Sequence, residues 1–221
     1  MKRILTSILV LALLLSCNTA EKNSIAETPG ETGAIKATSK VNFEDINTDE
    51  SLIATAVLAA PEGSRAASTV IGYNMKDEFV TLREGTNEFI CLADDPNKDG
   101  FSAACYHKNL EPFMARGRAL KTAGKTAKEI FDIREEEVKA GTLDMGGDGS
   151  TLHILFGPKA KFDPISGTVE EAIYRYVVYM PWATAESTGL PEKPIAANHP
   201  WIMNPGTHRA HIMISPINEE M

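Results

Sequence analysis

The order of patterns along this chain predicts an α+β fold: a single domain with a mainly antiparallel sheet and a central helical pair. Three observations carry that expectation. Short β-branched and apolar runs fill the stretch before residue 107, two helix-like segments follow one another between residues 109 and 140, and strand-like runs resume after residue 150. Strands grouped on either side of a helical block argue against alternating βαβ units. No internal repeat is present.

Each element has a local reason. Leu52 to Ala60 is apolar and Ala-rich and fits either a strand or a short helix. Ser68 to Tyr73 and Glu78 to Leu82 read as strands from their β-branched content. Glu88 to Ala93 and Phe101 to Tyr106 flank Asp94-Asp95-Pro96-Asn97-Lys98-Asp99-Gly100, and turn formers between two such runs predict a hairpin. Asn109 opens a helix running to Thr122, where Pro112 is tolerable because it falls in the first turn. Thr126 and Glu129 form a T-x-x-E capping box, and the helix they start should run to Ala140 with Gly141 as its stop. After the glycine-rich turn at residues 146–149, Thr151 to Phe156 reads as a strand. Ala172 to Met180 should be a strand covered on both faces, since Arg175 is its only charge. The five prolines between Pro181 and Pro205 predict a loop, and His211 to Ser215 is placed to close the sheet.

The N-terminus carries a different kind of signal. Lys2 and Arg3 precede an apolar run from Ile4 to Leu15, and Leu14-Leu15-Ser16-Cys17 ends it. A charged start, a short apolar stretch and a small residue at the cut describe an export signal. The run is shorter than the roughly twenty residues a membrane span needs, and no later segment is longer. The cysteine after Leu-Leu-Ser resembles the lipobox of bacterial lipoproteins as a class. That resemblance implies cleavage before Cys17, lipidation of Cys17 and attachment to a membrane of the cell envelope. With Asn18 next in line, the outer membrane is the implied location in a Gram-negative host.

The expected organisation follows: residues 1–16 a signal peptide, 17–45 the lipidated cysteine and a disordered tether, and 46–221 the folded domain. The tether is assigned because residues 18–40 are rich in Ala, Glu, Thr, Ser, Gly and Lys and hold almost nothing large and apolar. About 175 residues remain, enough for one core. The formal charge of −8 becomes more negative once Lys2 and Arg3 leave with the signal, and it argues against nucleic acid as a partner. Arg116, Arg118, Lys121, Lys125 and Lys128 read as an exposed helix flank, and Glu135-Glu136-Glu137 as a solvated one.

With Cys17 lipidated, Cys91 and Cys105 form an even pair in an oxidising compartment. A turn centred on Lys98 sets them directly opposite each other, at a separation a disulfide can bridge. The competing arrangement is two buried free thiols. The turn between them also matches the start of a calcium loop, with Asp95, Asn97 and Asp99 as alternating oxygen ligands before Gly100. Its twelfth position is Tyr106 rather than Glu, and an ordinary polar turn explains the same residues.

His208 and His211 are three apart, which suits zinc or copper ligation on a turn or helix but not on a strand. His199 is the candidate third ligand, and structural histidines are the competing reading. The motifs H-E-x-x-H, C-x-x-C, G-x-S-x-G and S-x-x-K are absent. Ser187 has no identifiable partner, and Gly146 to Ser150 lacks the lysine of a phosphate-binding loop. Trp182, Trp201, Tyr174, Tyr176 and Tyr179 fit either an apolar pocket or core packing. The expected role is a lipid-anchored envelope binding module for a small molecule, a divalent metal ion (zinc, copper or calcium) or an envelope partner. The competing role is a metal-dependent, hydrolytic envelope enzyme using the C-terminal histidines.

Overall fold

The structure is a computed structural model that describes residues 41–216. The expected signal peptide, Cys17 and the expected tether over residues 18–40 lie outside the described residues. The first described element is β1 (Glu44–Asp45), which is hydrogen-bonded to a later strand, so the fold includes residues just before 46. Helix α1 (Asp49–Ala56) opens on Thr48, whose hydroxyl accepts from Ser51 N at 3.1 Å while Ser51 Oγ accepts from Thr48 N at 3.1 Å. That cap decides the strand-or-helix ambiguity of residues 52–60 in favour of a helix. A 3-10 turn (Val57–Ala59) and the short α2 (Glu62–Arg65) continue it.

Strands β2 (Thr69–Tyr73) and β3 (Phe79–Arg83) form a hairpin whose turn is held by Asn74, its Oδ1 accepting from Lys76 N and Glu78 N. The chain then crosses the start of β2, with Thr86 N and Asn87 N both donating to Ala67 O. A Cβ on Gly85 would lie 2.2 Å from Thr69 N, so only glycine lets the two backbones pass. The crossing lays β4 (Phe89–Leu92) parallel beside β2. β4 and β5 (Phe101–His107) make the expected hairpin, and its register puts Cys91 opposite Cys105. The two are disulfide-bonded, with Cα atoms 4.0 Å apart.

A 3-10 turn at Lys108–Leu110 leads into α3 (Glu111–Thr122), followed by α4 (Ala127–Lys139). The Thr126–Glu129 capping box is present, and Gly141 at φ +70° follows the end of α4. Arg116 of α3 grips Glu137 of α4 through three contacts of 2.5–3.0 Å. A Cβ on Gly117 would lie 2.9 Å from Arg134 Nη1, so the glycine lets the α4 guanidinium lie on α3. The acidic run 135–137 is therefore not uniformly solvated. Glu136 is exposed, while Glu135 pairs with His208 and Lys139, and Glu137 with Arg116.

The remaining elements are β6 (Thr151–Gly157), β7 (Lys161–Asp163), β8 (Thr168–Val169), β9 (Ile173–Tyr179), α5 (Ala185–Thr188), β10 (Trp201–Met203) and β11 (His211–Ile214). The large sheet has eight strands in the order β10-β11-β9-β6-β5-β4-β2-β3, and β1-β7-β8 form a separate small sheet. Every pair in the large sheet is antiparallel except β2 with β4. β9 is an interior strand, as its composition predicts. β11 does not close the sheet, because β10 lies outside it. That strand comes from the proline-rich stretch expected to be loop and is too short, at three residues, to show a period.

The large sheet is buried on both faces. On one, α1, the following turn and the small sheet cover Val70, Cys91, Phe101, Ala103, Cys105 and Leu155. On the other, Leu110 and Phe113 at the start of the helical pair pack against Tyr106, Leu152, Val177, Tyr179 and Met213. Among the described residues no helix is long and apolar enough to cross a membrane.

The disulfide closes a loop with a sequence separation of 14 between two fully buried residues. By the chain-entropy argument, reduction should lower unfolding stability by about 3 kcal/mol. Urea titrations with and without reductant check this, and coincident midpoints would contradict it.

Candidate functional site

The residues that gather chemistry most densely lie under α3, at the β2–β3 end of the sheet. Tyr73 and Phe79 face each other across the hairpin, their rings edge to face at 5.4 Å. Phe79 is 44% exposed. With Leu92 at the end of β4, Ala93 and Asp95 just beyond it, Lys98 in the turn, and Arg118, Ala119, Lys121 and Thr122 of α3, they line a cavity of about 540 Å³. That is the size of an ordinary small-molecule site.

Arg118 is the fixed point. Its Nη2 donates to Glu111 Oε1 at 2.5 Å and its Nη1 to Tyr106 Oη at 3.1 Å, while Tyr106 Oη donates to Glu111 Oε2 at 2.5 Å. The closed ring of three holds the guanidinium with its carbon 5.6 Å from the centre of the Phe79 ring. Burial works against the arginine's charge, but Tyr106 and Glu111 outweigh it and raise its pKa. Burial and the bond to Glu111 push the Tyr106 phenol well above its ordinary range, so it stays a neutral donor. Asp95 is engaged with Lys98 and Glu111 with Arg118. Lys121 has no ion-pair partner among the described residues. The groove thus combines an aromatic floor with a rigid guanidinium and Lys121, a cation in no ion pair whose field helps keep the Asp95 carboxylate ionised.

Sequence reasoning placed Arg118 and Lys121 on an exposed flank and missed this role. The available signal was the seven-residue spacing of Glu111 and Arg118, which sets both on one helical face.

The histidines go elsewhere. His208 is fully buried between Phe131, at 4.7 Å, and Phe113, at 5.8 Å. Its Nδ1 lies 3.1 Å from Glu135 Oε2; a carboxylate only accepts, so Nδ1 carries the proton. Burial lowers the ring's pKa against the pull of Glu135, and Nε2 has no hydrogen-bond partner among the described residues. His211 donates from Nδ1 to Arg209 O at 2.6 Å and packs on Tyr179. His199 sits in the loop before β10, its Nδ1 buried without a hydrogen-bond partner among the described residues. His107 is on β5, beside Phe89. Arg134 and Arg209 both oppose positive charge at His208, and would oppose a divalent cation for the same reason.

Among the described residues no group of three or more His, Cys, Asp or Glu side chains is arranged to hold a metal ion. The expected centre of His199, His208 and His211 is therefore not assembled there, and neither is the calcium loop. Lys98 occupies the carboxylate of Asp95, and Asn97 turns its amide to Asp77 at 2.8 Å. Asp99 takes no part in the side-chain bonds of the turn. Ser187 is a helix cap, bonded both ways to Thr184. In the glycine-rich run, Gly146 N donates to Asp144 and Ser150 Oγ folds back onto Gly146 O. Trp201 and Tyr179 belong to the core, whereas Trp182 is 42% exposed under Lys139. Tyr174 and Tyr176 line a second cavity.

Comparison with known proteins adds no relative: no family model, no curated protein and no solved structure matches the chain. What the fold and the groove define is an α+β domain with a preformed cationic, aromatic-floored cavity.

Beside the groove, Asp94 is buried and accepts from Ser102 N at 2.9 Å. Burial pushes its pKa from 3.8 up to about 6, against that hydrogen bond. A carboxyl raised in the fold leaves stability intact below its unfolded value and lowers it as the pH climbs through the folded one, here from about 4 to about 6. Asp94→Asn keeps an acceptor for Ser102. It should be more stable than the wild type near pH 7, by about 1–3 kcal/mol, with the gap closing below about pH 4. Urea titrations at the two pH values decide this; a pH-independent gap would refute it.

Proposed function

We propose that this chain is a lipid-anchored cell-envelope protein whose domain binds a small molecule carrying an aromatic or apolar body and an anionic group. The observation that carries the ligand class is Arg118, locked by Glu111 and Tyr106 above Phe79, with Lys121 beside it and the carboxylate of the groove lining, Asp95, already bound to Lys98. A guanidinium already held in place loses little entropy when a carboxylate, sulfonate or phosphate arrives, which favours binding by preorganisation. Tyr73, Phe79 and Leu92 supply the apolar contact that fixes the body of such a ligand. The acidic chain repels polyanions in general, which favours a small anion over nucleic acid.

Non-catalytic binding is the reading the groove supports. Its polar groups are the ion pairs Arg118–Glu111 and Lys98–Asp95, the neutral phenol that joins the first, and Lys121, with no nucleophile set against a base among the described residues. The envelope location rests on the export pattern and on Cys17.

Two measurements test this. Anilinonaphthalene sulfonate, an aromatic anion, should bind the purified protein saturably near one equivalent, and Arg118→Ala with Lys121→Ala should weaken it about tenfold or more. Unchanged affinity in a folded double variant would refute the site. Separately, the protein should enter the detergent phase on Triton extraction and carry a lipid mass on Cys17, and Cys17→Ala should move it to the aqueous phase. An unmodified Cys17 in protein recovered from its own envelope would refute the anchor.

A further inference from the structure

The second cavity, about 470 Å³, lies on the opposite face of the sheet from the groove. Its floor is set by strand register. His153 of β6 stands opposite Tyr176 of β9, with Tyr174 two residues away on the same face. The two tyrosine rings are stacked at 6.2 Å and 27°, and the His153 ring meets Tyr176 edge-on at 5.4 Å. Ala59, Ala60, Pro61, Glu62 and Arg65, from the turn and short helix before β2, form the other wall.

The polar groups here differ in kind from those under α3. Arg65 is pinned by donating from Nε to Ala60 O and from Nη2 to Leu58 O, both at 3.0 Å, which leaves Nη1 unused. Tyr174 Oη donates to Leu58 O at 3.3 Å. The Tyr176 hydroxyl, both His153 nitrogens and the Glu62 carboxylate have no hydrogen-bond partner among the described residues. Burial lowers the His153 pKa, so the ring offers one donor and one acceptor. The wall holds one cation and one anion, so no net charge selects an ion.

We infer that this cavity is a second, independent site, and that its ligand is a neutral saccharide. Two stacked phenol faces suit the apolar C–H face of a pyranose ring. Groups that both donate and accept, as the Tyr176 hydroxyl and neutral His153 do, match hydroxyl groups that do the same. A fixed arginine and a carboxylate complete a set that bonds hydroxyls without requiring charge. An anionic ligand would meet Glu62, and a cationic one Arg65.

The test is titration of the isotope-labelled protein with cellobiose, maltose and diacetylchitobiose, followed by backbone amide shifts. At least one should bind saturably, in the weak range usual for small sugars, with shifts centred on residues 59–65, 153 and 174–176. Tyr176→Phe keeps the ring and should weaken binding severalfold, Tyr176→Ala should weaken it about tenfold or more, and Arg118→Ala should leave it unchanged. The inference is overturned if none of the three sugars binds saturably. It is also overturned if shifts centre on α3, or if Tyr176→Ala binds as the wild type does while giving a native amide spectrum.

Discussion

The constraint on which the rest of this domain depends is that its interior strands serve two cores at once. In β5, Phe101, Ala103 and Cys105 point into one layer, and Ala104 and Tyr106 into the other. β6 divides in the same way between Leu155 and Leu152. A one-residue slip in either strand would exchange the two sets, so register is fixed by burial from both sides. Both cavities lie where a covering layer ends before the sheet does. The groove opens where α3 runs out over β2 and β3, and the second cavity opens where the short helix before β2 overhangs β6 and β9.

The helical pair is fastened as much by charge and shape as by apolar contact. α3 and α4 carry modest apolar stripes, yet Arg116 forks onto Glu137, and Arg134 lies on the bare backbone at Gly117, over the Phe113 ring. Glycine in a helix interior is unfavourable by about 1 kcal/mol relative to alanine. Here the missing side chain is what lets a buried guanidinium reach Phe113 O. That fastening ties α3 to α4 around Arg116 and Gly117, next to Arg118 and one turn before Lys121, the two cations that α3 presents to the groove.

How much of this was legible in the sequence depended on how local the cause was. The capping box at Thr126 and Glu129, Pro112 in the first turn, and the Cys91–Cys105 register each rest on residues no more than 14 positions apart, and each could be read. β10 and the small sheet could not, since elements of two or three residues carry no period. The site was hidden for a different reason. Tyr106, Glu111 and Arg118 come from a strand and a helix, and Phe79 from a separate hairpin; a linear reading shows their charges but not what faces them. The histidines illustrate the converse. A three-residue spacing is suggestive only if both side chains share a turn, whereas His208 tucks beneath α4 and His211 already belongs to a strand.

The hairpin turn that supplies Asp95 and Lys98 to the groove is also the segment enclosed by the disulfide. Exposed turns are where proteases nick folded chains. A cut between Asp95 and Gly100 would therefore leave two polypeptides joined through Cys91 and Cys105, still paired along β4 and β5. The nicked chain would separate on a reducing gel and not on a non-reducing one, and two interior strands of the sheet would survive damage to the loop between them.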